Sequence, residues 1–169
     1  TSGWLGSVHK SSWAGICQWV EGLTEDTRLI DIGSLNVKPD KYWDASDITG
    51  HILQYVGVDL REGDNVDVVM KSPFEIPFAD NYFSALLCAN TLEHCINPFK
   101  LMNEGSRVIQ PGSPVCVVAP FEWNIHRHPI DCFRFLPDGM RAIFDEAGFV
   151  CEKSEIKGKD CWGFGHKKE

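Results

Sequence analysis

The segment PFEWNIHRHPIDCFRF, residues 120–135, concentrates groups able to take up a proton or hold an anion. His126, His128 and Asp131 could each act as a general base, and Arg127 or Arg134 could hold an anionic substrate group. The competing role is structural, with Asp131 and Arg134 pinning the loop to whatever follows it. A second set of residues lies nearer the N-terminus. In LIDIGSLNVKPD, residues 29–40, an apolar run reaches Asp31 and turns at Gly33, and the next apolar run, QYVGVDL, closes on Asp59. A bare glycine lets a nucleoside approach the backbone, and an acid at the end of the neighbouring strand accepts hydrogen bonds from two ribose hydroxyls. The plainer alternative is that Asp59 caps a turn, where aspartate is common.

These residues need a scaffold that brings them together, and the apolar periodicity supplies one. Residues 27–33, 54–60, 66–70, 82–90 and 113–121 read as strands, and the run at 82–90 is apolar throughout, as expected of a central strand. Helices are predicted over 11–22, with Trp13, Ile16, Cys17 and Val20 on one face, and over 97–112, opening at Pro98. Another follows Pro137, with Met140, Ile143, Phe144 and Ala147 on one face and Gly148 as its stop. At most a short helix after Pro39 is expected within 34–53. Two strands, 149–157 and about 161–167, end the chain. Alternating strands and helices give an α/β fold, an open and mostly parallel twisted sheet with flanking helices and an antiparallel last strand. In such a sheet ligands bind beyond the carboxyl ends of the strands, where Asp31, Gly33, Asp59 and the 120–135 loop all fall. Residues 1–169 are expected to form a single domain, with 1–26 an N-terminal helical segment and 27–169 the core.

The 169 residues suffice for one domain, and 43% hydrophobic with 24% charged residues is an ordinary globular composition. A net charge of −8 argues against general nucleic-acid binding, which needs a basic surface. Seven cysteines occur without a CxxC pair, several inside apolar runs, which fits buried thiols in a reducing, cytoplasmic setting. No membrane span is expected. No metal centre is expected either, because His126 and His128 are two apart and the cysteines are scattered. A serine hydrolase is disfavoured by the lack of GxSxG.

The loop after Asp31 lacks what a dinucleotide needs. Leu35 and Val37 stand where small residues would let a pyrophosphate reach a helix N-terminus. A ligand with a ribose but no phosphate fits better. At these residues the sequence resembles the class I S-adenosylmethionine-dependent methyltransferases of the small type 11 kind, over about residues 27–156. The matching stretches are LIDIGS, YVGVDLREGDNVDVV, IPFADNYFSALLCANTLEHCINP, EGSRVIQPGSPVCVVAP and HPIDCFRFLPDGMRAIFDEAGF.

The resemblance implies S-adenosylmethionine as cofactor and S-adenosylhomocysteine as product. It places Asp31 near the methionine amino group, Gly33 and Ser34 in the loop beneath it, and Asp59 on the ribose hydroxyls. Leu60 would flank the adenine, and Ala89 and Asn90 would meet the methionyl part. Two departures stand out: Ser72 lies near the position where family members often carry an adenine-contacting Asp, and Phe83-Ser84 replaces the common FD. His94 could face the methyl group or pack beneath the site, and Glu93 reads as an ion-pair partner at a helix start. The acceptor is expected to be a small molecule or glycan. The acceptor pocket could be completed by another subunit of an oligomer or by the residues before Trp13. Leu35 and Ser72 also suit a degenerate module that binds without catalysis. A nicotinamide-dependent oxidoreductase is disfavoured by the loop.

Overall fold

The computed structural model describes residues 10–37 and 45–169. Seven strands form one sheet: β1 (Arg28–Ile32), β2 (Gln54–Asp59), β3 (Val68–Val69), β4 (Ala85–Ala89), β5 (Pro114–Pro120), β6 (Phe149–Lys157) and β7 (Asp160–Lys167). Their spatial order is β3-β2-β1-β4-β5-β7-β6. β1 to β5 pair in parallel, and β7 runs antiparallel to both β5 and β6, so the last strand alone reverses. The order switches direction between β1 and β4, where a parallel sheet opens a crevice at its carboxyl edge.

Side chains one apart on a strand face opposite layers, and the core divides accordingly. Ile30, Ile32, Leu86 and Cys88 pack with α3 (Pro98–Val108) and α4 (Pro137–Glu146) through Leu101, Met102, Met140, Ile143 and Phe144. Leu29, Ala85, Leu87 and Trp162 face the other way, onto Trp13, Ile16 and Val20 of α1 (Lys10–Glu21). All five residues of β4 are buried, as the unbroken apolar run requires of a strand covered on both faces.

Several elements are shorter than their sequence pattern. The 82–90 run pairs as a strand only from Ala85, and Phe83 instead makes an isolated bridge with Ile109. That bridge explains why α3 stops at Val108: Ile109 turns extended to reach Phe83, ahead of Pro111. At the other end of α3, the Asn97 side chain accepts from Lys100 N at 3.0 Å, and Pro98 fills a first-turn position that needs no N–H. β3 keeps two residues at the sheet edge. A short helix, α2, covers Ser46–Thr49, whereas Pro39 lies outside the described residues. All seven cysteines are free thiols.

Candidate functional site

A cavity of about 420 Å³ opens at the carboxyl ends of β1, β2 and β4. Gly33 forms its floor with φ of +79°, and a Cβ built there would lie 2.0 Å from Thr91 Oγ1. Only glycine fits that turn and that approach. Thr91 Oγ1 lies 3.2 Å from the Ile32 carbonyl and 3.1 Å from that of Ala89, so it ties the ends of β1 and β4 together.

Asp59 lines the cavity at the end of β2. Its Oδ1 accepts from Leu60 N at 2.7 Å and Arg61 N at 3.3 Å, and its Oδ2 from Leu35 N at 3.2 Å. The carboxylate therefore fixes two loops, while Oδ2, with one accepted bond, keeps a lone pair for a ligand. Leu60 and Met70 give the wall beside it an apolar character. Asn90, with φ of +50°, also lines the cavity, and its buried Oδ1 has no hydrogen-bond partner among the described residues.

The other residues singled out in the sequence stand back from the wall. Asp31 is fully buried on the α1 side of the sheet, where its Oδ2 accepts from the Tyr55 hydroxyl at 2.7 Å and its Oδ1 is unpartnered. Burial pushes its pKa up to about 7, with Tyr55 acting against the rise and Asp59 adding to it. Ser34 and Ala89 are buried next to the cavity-lining Gly33 and Asn90. Ser72 builds a turn, accepting from Phe74 N at 3.2 Å, while its neighbour Pro73 reaches the cavity.

The 120–135 loop separates into two roles. His128 lines the cavity, and burial, followed by the nearby His94, His126 and Arg61, lowers its pKa, which keeps the imidazole neutral. Asp131 faces inward with its side chain 2% exposed. It accepts from Arg134 Nη1 at 2.7 Å, Arg134 Nη2 at 2.8 Å and His126 N at 2.7 Å. Arg134 donates further to the Trp123 and Asn124 carbonyls, so this pair organises the loop itself. His126 is buried behind the wall, its pKa raised by Glu93 against the effect of burial. Arg127 is exposed.

Sequence reasoning missed how the turn after β4 is used. Residues Leu92–His94 form a short 3₁₀ turn, joined to the 120–135 loop by Cys132 N donating to the Glu93 carbonyl at 2.6 Å. Glu93 is fully buried and sits before α3, not at its start. His94 lines the cavity, and its ring meets those of His126 and His128 edge-on at centroid distances of 4.8 and 5.6 Å.

Among the described residues, no helix is long and apolar enough to cross a membrane. A search of curated protein sequences finds no match. Among solved structures, the chain is similar to a SAM-dependent methyltransferase from Methanosarcina mazei, at 14% identity and a TM-score of 0.68 over 88% of this chain and 95% of that one. It is similar to the putative methyltransferase solved with the Trm112 methyltransferase activator of Haloferax volcanii, at 15% identity and a TM-score of 0.66 over 96% and 98%. The [4+2]-cyclase SpnF matches at 18% identity and a TM-score of 0.67 over 90% and 64%. At such identities these likenesses concern the fold alone. The family model described as "Methyltransferase domain" matches residues 30–117, more than half of the chain and the part that carries β1 to β4, Gly33, Asp59 and Asn90. The chain therefore belongs to the methyltransferase domain family.

Proposed function

We propose that the chain binds S-adenosylmethionine in the cavity at the ends of β1, β2 and β4 and transfers its methyl group to a small-molecule or glycan acceptor. The observation that carries this reading is the pairing of Asp59 and Asn90 in one cavity: a carboxylate with a spare lone pair on Oδ2, and a buried amide oxygen that lacks a donor. A ribose hydroxyl suits the first, and an ammonium group suits the second. Gly33 supplies backbone free of a Cβ beneath them, and Leu60 with Met70 supplies an apolar wall for a base. The fully buried Asp31 strengthens the preference for a cationic methionine end.

When bound, this cofactor supplies an activated methyl group with its own leaving group, so the protein's part is mainly alignment and removal of the acceptor's proton. His128 suits that second task, being neutral and on the wall. Ile96 and Ile130, both exposed and both on the rim, give the acceptor an apolar surface to lie against. A cytoplasmic location goes with this reading.

One experiment separates the cofactor from the base. Asp59→Ala should weaken S-adenosylhomocysteine binding in calorimetry by about tenfold or more, because charge-assisted hydrogen bonds worth roughly 1.5–3 kcal/mol are lost. His128→Ala should keep that affinity while methyl transfer, followed by mass spectrometry on an acceptor found by screening, falls about 10²-fold or more. A folded Asp59→Ala protein that binds as tightly as the wild type would remove Asp59 from the cofactor site. Cofactor binding with no turnover on any acceptor would favour the degenerate binding module that Leu35 suggests.

A further inference from the structure

We propose that Glu93, His94 and His126 form a binding site for one divalent transition-metal ion, zinc being the best match to the donors. Among the described residues, this is the one group of His, Cys, Asp and Glu side chains close enough to share an ion, with one ligand atom from each lying within 4.8 Å of the others. Glu93 is fully buried, and neither of its carboxylate oxygens has a hydrogen-bond partner among the described residues. Native structures rarely leave such a group unsatisfied.

The histidines sharpen the problem. His94 Nδ1 lies 2.6 Å from the Ile130 carbonyl, and His126 Nδ1 lies 3.0 Å from that of Asn124. A carbonyl oxygen only accepts, so both Nδ1 atoms carry a proton, which leaves each Nε2 as the nitrogen a metal ion would take. Those two Nε2 atoms face the same Glu93 Oε1, at 3.6 Å from His94 and 3.8 Å from His126. The carboxylate and the two Nε2 atoms thus converge at separations too long for hydrogen bonds.

A cation between them resolves the geometry. Zinc takes imidazole nitrogen and carboxylate oxygen at about 2.0–2.2 Å, which sets tetrahedral donors roughly 3.4 Å apart, so the cluster closes with small movements. Ligating histidines ordinarily donate the other ring N–H to a backbone carbonyl or carboxylate, as both do here. Three protein ligands leave a position open, and His94 belongs to both the cluster and the cavity wall. The ion would staple the turn after β4 to the loop after β5. A proton shared along one His–Glu pair is the competing explanation, but it would draw that pair to about 2.8 Å and leave the second imidazole facing an acceptor.

The test uses untagged full-length chain, stripped with a chelator and titrated with Co(II) while visible absorption is read, then with Zn(II) in competition. The expected result is one tetrahedral Co(II) per chain, displaced by Zn(II), with Kd of about 1 μM or tighter. Glu93→Gln and His126→Gln should each weaken binding about a hundredfold. His166→Ala, which alters an imidazole paired with Glu152 outside the cluster, should leave it unchanged. Absent cobalt absorption in folded wild-type protein overturns the proposal, as does unchanged affinity in a folded ligand variant. Where a buried variant does not fold, His94→Gln, at the cavity wall, takes its place. S-adenosylhomocysteine affinity of the stripped protein is a separate reading, so loss of the metal site and loss of the cofactor reading are told apart.

Discussion

Asp31 lies on the central strand β1 with no exposed surface, one oxygen on the Tyr55 hydroxyl and the other unpartnered. Its carboxyl keeps a proton up to about pH 7 in the folded chain, chiefly through burial, and only to about pH 4 when unfolded. Between those values the native state holds more protons than the unfolded state, so stability falls as pH rises. The loss is complete above about pH 7 and is on the order of 2–4 kcal/mol. Asp31→Asn removes the titration. Thermal melts from pH 5.5 to 8 should therefore decline more steeply for the wild type than for the variant, with the Asn protein the more stable at pH 8. Parallel profiles would mean that Asp31 carries no strained charge.

At the scale of elements, the 120–135 loop shows how a segment rich in catalytic residue types can owe its shape to one of them. Asp131 takes both terminal nitrogens of Arg134 and the backbone N–H of His126, and Arg134 beside it holds its carboxyl well below the usual carboxylate range. Asp131→Ala strands a guanidinium and an amide and should cost about 2–3 kcal/mol, a drop of roughly 5–10 °C in Tm. Because the native carboxyl's pKa is depressed, the contribution is present above about pH 4 and is lost as pH falls below it. The gap between wild type and variant should be flat from pH 5 to 8 and close in acid. An unchanged Tm at pH 7 would return Asp131 to the list of bases.

The strands, the two amphipathic helices after β4 and β5, and the single reversed strand were legible because their apolar periods are strong and Pro98 and Pro137 mark the helix starts. The end of α3 was not, since Ile109 leaves the helix to pair with Phe83, a contact with a distant segment. Gly33, Asp59 and Asn90 were legible as strand-end residues that an open sheet gathers at one edge. The Glu93, His94 and His126 cluster was not. Its members follow β4 and β5, which are far apart in the chain and adjacent in the sheet, and no spacing records that adjacency.

Over the whole molecule, the cavity draws its walls from the ends of β1, β2 and β4 and from loops after β2, β4 and β5. A ligand that fills it ties the two halves of the sheet together across the switch point, so binding should register as global stability. S-adenosylhomocysteine at about 100 times its Kd adds roughly 2.7 kcal/mol by mass action. For a chain of this size that raises Tm by about 5–10 °C. NAD at the same concentration should leave Tm unmoved, for a reason visible in the loop. Leu35 and Val37 occupy the wall where a pyrophosphate would need glycine and free N–H groups, and Leu35 N is already committed to Asp59. Differential scanning calorimetry with each ligand in turn decides the matter. A rise with NAD and none with S-adenosylhomocysteine would overturn the cofactor assignment, while equal rises with both would mean that the loop rearranges to admit a diphosphate.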